Sequence, residues 1–482
     1  MREALKKLTG ESLVYGLGAV GGRAVQLLLV PILTRALAPD AFGVGELVLA
    51  YSQTAALVLV FGMDGALARF FYQEPDRAAR LRMTSTSFAF RLALVALVAV
   101  VGALAAGPLA ERFVGGGVYR KYVQIGSLTL PFTLVVLYGN DVLRVTFQPW
   151  KFITLNIAQT VLVGGLSLWF VVGRGMGVAG MLYGRLAGDA LCALLALVLV
   201  RHHLRPRFDG ATLRRMLAYG APTVPAAFCF GAITALDRYA LQRFRGLDEV
   251  GVYGVAFKFF AVMSITVSAF QLAYGPFAFA RAGAPGAPRL FARVFGAYVA
   301  GSSIAALAVG LFAPEALAVL VPEGYRGAAG PALLLAFAAV ALGAYTVASV
   351  GVALALRTPL LIGCAAGAAV VALAANLAWV PRHGPMGAAA ATLAGYATAA
   401  ILTYITAQRV HPMPYRGLRM LAVAATALGA GLVVQRMAPP GAAGIAWKLA
   451  AIAAFAGLGW RLGMWKERGA IAPTTPPGPA VG

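Results

Sequence analysis

Arg23 lies midway along an apolar run, Ser12 to Leu33, too far from either end for its guanidinium to reach water easily. At 100° per residue, Tyr15, Gly22, Arg23 and Gln26 fall within about a 100° arc of one helix, a polar stripe on an otherwise apolar surface. A second stripe follows in the next run: Glu46, Gln53 and Asp64 return to within about 20° of one another. Asp237 and Arg238 end the run 216–237, and Lys258 is set inside the run 250–274. Lys258 points about 140° away from the stripe of Tyr253, Ser264, Ser268 and Gln271 on its own helix. A charge at the centre of a bilayer costs about 2.5–3.5 kcal/mol even on the lenient insertion scale, so such residues mark a polar pathway unless a neighbour neutralises them. Tyr15, Arg23, Gln26, Glu46, Gln53 and Lys258 are therefore candidates for a substrate cavity. Asp64, Arg69, Asp237 and Arg238 are candidates for a gate or an ion-coupling site. The bland alternatives are an Arg23 paired for structure alone, and a Glu46 and Asp64 hydrated near the two interfaces. Arg185 and Asp189, four apart, read as an intrahelical pair. Arg91 reads as an interfacial residue that snorkels from the start of the third span.

Other chemistry finds little support. The GxGxxG from Gly16 to Gly21, with Asp40 beyond it, lacks a preceding strand and sits in a spanning run, where small residues serve helix packing. No GK[ST] occurs, so no P-loop is present. His202, His203, His383 and His411 show no HExxH-like spacing, and Cys192, Cys229 and Cys364 form no CxxC pair. Neither a catalytic residue, a metal site nor a cofactor is indicated.

The elements that must hold these side chains follow from composition: 60% of the 482 residues are hydrophobic and 12% charged, as in a polytopic membrane protein. The formal charge of +23 is spread singly through short loops, which fits membrane orientation better than nucleic-acid binding. Arg2, Lys6 and Lys7 before an apolar run imitate a signal peptide, but Ser12–Leu33 is too long for one. Spans of membrane length are expected at 12–34, 42–64, 86–108, 122–142, 152–172, 177–200, 216–237, 250–274, 291–313, 330–354, 359–380, 385–408, 418–437 and 443–463. This predicts an all-α integral membrane fold of about fourteen helices. The expected units are a first lobe at 1–200, a basic connection at 201–215, a second lobe at 216–410, two further helices at 411–465 and a Pro-rich disordered tail at 466–482. With both termini cytoplasmic, roughly 24 Lys and Arg fall inside and roughly 12 outside; the loop holding Arg112, Arg120 and Lys121 runs against the bias.

The two lobes echo each other: Tyr15-Gly16 with Tyr219-Gly220, Leu33-Thr34-Arg35 with Leu236-Asp237-Arg238, Gly43-Val44 with Gly251-Val252. An even-helix repeat keeps its orientation, which predicts two pseudo-symmetric six-helix lobes around a central cavity, related by an axis along the membrane normal. Pro131, Pro222, Pro225 and Pro276 are candidate bending points.

The motifs LTRALAPDAFGVGEL (Leu33–Leu47), FGMDGALARFF (Phe61–Phe71), YGAPTVP (Tyr219–Pro225), LDRYAL with VGVYGVAFKF (Leu236–Phe259) and NLAWVPRHGPMGAAAATL (Asn376–Leu393) are together similar to those of the Wzx-type polysaccharide and O-antigen flippases, of the multidrug/oligosaccharidyl-lipid/polysaccharide (MOP) exporter superfamily. That resemblance implies a transporter, not an enzyme, in the bacterial cytoplasmic membrane. It implies alternating access carrying a polyprenyl-pyrophosphate-linked oligosaccharide for O-antigen, capsule or exopolysaccharide synthesis. Coupling to H+ or Na+ and partnership with a polymerase and glycosyltransferases are part of the same expectation. Arg suits the cargo's diphosphate, being always charged and bidentate. A lipid II flippase and a multidrug cation antiporter are the alternatives within the superfamily; the latter would want a more acidic cavity than Arg23 and Lys258 offer. A membrane glycosyltransferase or polymerase would need a large polar loop with catalytic carboxylates, whereas the longest connections here are about 20 residues. A pure scaffold has no use for Arg23 or for the duplication.

Overall fold

The computed structural model describes residues 29–461, except 206, 282, 283, 285 and 356. Among these residues every regular element is helical. The first lobe contains the end of α1 (29–36), α2 (Pro39–Leu59), α3 (Met63–Gln73), α4 (Arg77–Leu104), α5 (Ala106–Phe113), α6 (Arg120–Val145), α7 (Pro149–Leu168) and α8 (Gly177–Val200). A connector leads to α9 (Gly210–Gly220), and the second lobe holds α10 (Val224–Phe244), α11 (Leu247–Arg281), α12 (Ala287–Leu311), α13 (Ala313–Leu320), α14 (Ala329–Leu354) and α15 (Leu360–Val410). Two last helices, α16 (Gly417–Met437) and α17 (Ala442–Arg461), pack on α12. Eleven helices among the described residues are long and apolar enough to cross a membrane.

One of the eleven is a hairpin. Cys364 and Thr406 approach to 3.4 Å within α15, yet 42 residues of continuous helix would separate them by about 63 Å. The reversal falls at Gly384 (φ 51°, ψ −130°) between Pro381 and Pro385, a conformation open to glycine and closed to side chains with a Cβ. The expected spans 359–380 and 385–408 are its two arms. The expected first span, 12–34, enters the described residues only at its end, and the tail 466–482 lies outside them.

Two expected boundaries move, each for a local reason. The third span starts at Arg77 and not near residue 86, because Asp76 caps it through Ala78 N and Ala79 N, both 3.0 Å. The polar run that follows is buried, not loop: Thr84, Ser85, Thr86 and Ser87 all face protein. Arg91 is thus fourteen residues inside α4, 2% exposed, with Nη1 2.8 Å from Asp141 of α6; it does not snorkel. The seventh span is broken at Ala221–Thr223 into α9 and α10, and α10 runs on to Phe244. Asp237 and Arg238, expected at its end, are buried inside it.

The connector lies on the first lobe. Thr84 Oγ1 donates to His203 O (2.6 Å), while Arg205 N and Asp209 N donate to Ser85 Oγ (2.8 Å) and Thr86 Oγ1 (3.1 Å). Asp209 then caps α9, accepting from Ala211 N, Thr212 N and the Thr212 hydroxyl, which holds its carboxyl below the usual carboxylate range. From there α9 packs on α3 and α4, with Arg215 stacked 4.4 Å over Phe70 and Arg69 4.7 Å over Tyr219.

Candidate functional site

The lobes meet along α2, which packs on α10 and α11. Pro39 starts α2 at a position where a missing N–H costs nothing, and Asp40 follows in the first turn, where a carboxylate complements the helix dipole. Small residues set the crossing. A Cβ on Gly43 would fall 2.1 Å from Leu247 O, and one on Gly251 2.0 Å from Pro39 O, so only glycine permits this backbone separation. Tyr325 of the second lobe closes the same end, its hydroxyl donating to Leu37 O at 2.7 Å.

One turn deeper, the charged residues converge. Glu46, 5% exposed, receives Lys258 Nζ on Oε1 at 2.6 Å and Arg238 Nη2 near Oε2 at 3.7 Å. Arg238 also donates through Nη1 to Thr234 O (2.8 Å) and contacts Asp237 Oδ1 (3.3 Å), and its guanidinium stacks 4.1 Å over Phe257. Asp237 Oδ2 accepts from the Tyr253 hydroxyl (2.5 Å) and from Thr392 Oγ1 (3.2 Å). Four helices, α2, α10, α11 and α15, are thereby joined by one polar network in an apolar setting. Removing one partner of such a buried pair costs about 3–5 kcal/mol, because the other charge is left without compensation.

Lys258 reaches Glu46 although it lies far round the helix from Tyr253. The reason is that α11 is contacted on two sides, Tyr253 facing α10 and α15 while Lys258 faces α2. Two polar faces on one helix, each with its own partner helix, replace the single stripe expected from the sequence.

Farther along α2 the contact with α10 continues, with Thr54 Oγ1 3.4 Å from Gly231 O and no room for a Cβ on Gly231 beside the Thr54 methyl. Gln53 and Leu57 project within roughly 40° of the arc that Gly43 and Glu46 define, yet both are exposed, Leu57 to 44%. Past Leu59 the backbone bends at Phe61 and Gly62, both with positive φ (55° and 66°), and Gly62 touches Gly220: a Cβ there would sit 2.3 Å from Gly220 O. This break corrects the second stripe. Asp64 belongs to α3, not to the helix of Glu46 and Gln53, and is exposed, so the shared phase does not exist. Arg69 is likewise an exposed residue of α3, held by Tyr219. Tyr15, Arg23 and Gln26 lie outside the described residues.

The first lobe has polar knots of its own. Asp189 is fully buried and accepts from Thr133 Oγ1 (2.7 Å, α6) and Gln159 Nε2 (2.9 Å, α7). Its expected intrahelical partner Arg185 stands 3.7 Å away with Nε making no hydrogen bond among the described residues, so the neighbouring helices satisfy Asp189 and the i,i+4 pair is secondary. Asp141 and Thr392 escaped sequence reasoning. For Asp141 a signal existed: a carboxylate in the apolar run Leu128–Val145, matching the equally isolated Arg91.

Eleven apolar helices of membrane length, in two groups that meet across a charged seam, make this a multi-pass membrane protein. The chain belongs to the polysaccharide biosynthesis protein family, whose model matches residues 8–277. Its fold is shared with solved members of the MOP superfamily. The lipid II flippase MurJ in an inward closed conformation superposes with a TM-score of 0.73 at 12% identity, covering 93% of this chain and 99% of that one. An inward-facing multidrug resistance MATE family transporter of the MOP superfamily gives 0.58 at 17% identity, covering 83% and 95%. The Vibrio cholerae MATE transporter VcmN in the bent form gives 0.59 at 14% identity, covering 84% and 97%. No curated protein sequence matches the chain. The resemblance to polysaccharide flippases read from the motifs thus agrees with both family and fold.

Proposed function

We propose that the chain is a flippase that moves a polyprenyl-pyrophosphate-linked oligosaccharide across the cytoplasmic membrane by alternating access, supplying a polymerase with units built by glycosyltransferases. The observation that carries this reading is the Glu46, Lys258 and Arg238 cluster, formed across the lobe interface with Glu46 and Arg238 buried, since charges set within membrane-spanning helices mark a functional site by default. A diphosphate cannot cross hydrocarbon without partners, and a lysine and an arginine at one seam supply them. Two cations from the second lobe favour an anionic cargo over a cationic drug. The connector face, rich in arginine from Arg201 to Arg215, is cytoplasmic on the positive-inside rule, which puts the elbow at Leu37 and Ala38 outside. A proton or sodium gradient at Asp237 or Glu46 is the driving force to test first.

The decisive experiment reconstitutes the protein in liposomes with a lipid-linked oligosaccharide in the inner or outer leaflet and follows its movement with and without an ion gradient. Transport of the oligosaccharide supports the reading. Transport of lipid II alone, or of an organic cation alone, replaces it. A cysteine placed in the connector that labels from outside intact cells would overturn the orientation.

A further inference from the structure

Charge is divided unequally between the lobes at the seam. Glu46 is the first lobe's contribution; Asp237, Arg238 and Lys258 are the second lobe's. The four ionised groups sum to zero together, but apart they leave one negative charge on α2 and one excess positive charge on α10 and α11. Asp237 does not make up the difference, because its oxygens are already engaged by Tyr253, Thr392 and Arg238 within its own lobe. Arg238 keeps an unused donor besides, its buried Nε having no hydrogen-bond partner among the described residues. When α2 withdraws from α10 and α11, Lys258 loses its counter-ion and Arg238 keeps only Asp237, so the second lobe is left with one uncompensated positive charge. An empty protein therefore resists opening at the elbow end.

We propose that Glu46 is an internal stand-in for the cargo's anion: its carboxylate occupies Lys258 and Arg238 while the transporter is empty, and a phosphate group of the cargo displaces it. The elbow end then opens only on a loaded protein. This rests on the anionic-cargo reading above and adds to it a residue that competes with the cargo. A phosphate suits the exchange because it offers several oxygens to cations that Glu46 holds by one oxygen each, and the spare Nε of Arg238 is available to it. Glu46, left on α2, meets water or a proton as the elbow end opens.

The exchange predicts opposite signs for the two ends of one ion pair, which a merely structural pair does not. Farnesyl diphosphate serves as the probe, farnesol as the uncharged control, and the full-length protein in lipid nanodiscs as the receptor. Glu46→Gln binds the diphosphate about tenfold tighter than wild type and Lys258→Gln about tenfold weaker, with farnesol unaffected by either. Glu46→Asp, which keeps the charge on a shorter stem, falls between wild type and Glu46→Gln and carries the sign test should Glu46→Gln not fold. Binding by the Glu46 variants that is equal to wild type or weaker overturns the stand-in role and leaves the diphosphate reading intact. If wild type and variants all bind farnesol as well as they bind the diphosphate, the cargo reading itself fails, and this inference with it.

Discussion

Gly43 of α2 and Gly251 of α11 oppose each other reciprocally across the lobe interface, each lying against the carbonyl oxygen four residues before the other: Gly43 against Leu247 O and Gly251 against Pro39 O. These two glycines are also partners in the internal repeat. Positions paired by the sequence echo that also touch one another are what a twofold axis passing between them would require.

A methyl group at either place has no room, since the nearest atoms are backbone oxygens that cannot swing aside. Gly43→Ala and Gly251→Ala should each wedge the elbow end apart. Spin labels at Arg112→Cys and Glu323→Cys, both exposed and in different lobes, should report a longer distance in the alanine variants. An unchanged distance with normal transport would remove the contact from the gate.

Arg91 and Asp141 form a buried pair in the first lobe, remote from the seam. Asp141→Ala should destabilise the protein by about 3–5 kcal/mol, because it strands the guanidinium in an apolar setting. The double variant Arg91→Met, Asp141→Leu should recover most of that loss. Thermal unfolding in detergent compares the three, and a double variant no better than the single one would show the pair to have a role beyond charge compensation.

Tyr253 donates the 2.5 Å hydrogen bond to Asp237. Tyr253→Phe removes a bond to a charged acceptor, a loss of about 1.5–3 kcal/mol. Transport should fall while folding persists, and Asp237→Asn, which also weakens the hold on Arg238, should be the more severe. Equal transport by Tyr253→Phe and wild type would detach Asp237 from the working part of the network.

The hydroxyls of Thr84, Ser85 and Thr86 should decide how tightly the connector is held. Three hydrogen bonds at about 0.5–1.5 kcal/mol each imply at least a tenfold rise in local opening when they are removed together. Trypsin cleavage after Arg207 in inverted membrane vesicles measures it, with Thr84→Val, Ser85→Ala, Thr86→Val as the variant. Cleavage no faster than in wild type would mean that α9 alone anchors the segment.

Most of the fold is legible in the sequence because spanning helices announce themselves by apolar length, and the repeat is legible because Gly43 and Gly251 are the same residue for the same reason. The site is legible only in its members. Glu46, Lys258, Asp237 and Arg238 stand out as charges in apolar runs, but pairing is a property of helix neighbours, and no period within one helix reveals that α11 has two neighbours. Asp64 reads as part of the stripe because hydropathy continues through Phe61 and Gly62, where the backbone turns left-handed. The third span reads too short for the converse reason: Thr84 and Ser85 look like loop, but they are buried against protein, so the polarity does not bring exposure.

The docked connector also changes what joins the two lobes. His203, Arg205 and Asp209 are bound to α4, and α9 packs on α3, so neither serves as slack. Together they hold the chain to the first lobe as far as Gly220, which leaves the few residues from Gly220 to Val224, where α9 ends against Gly62 and α10 begins, to lead into the second. The link between the lobes is a short turn at the end of a docked segment, not a loose tether. Chain added to the connector should matter little, and chain added at that turn should uncouple the two halves.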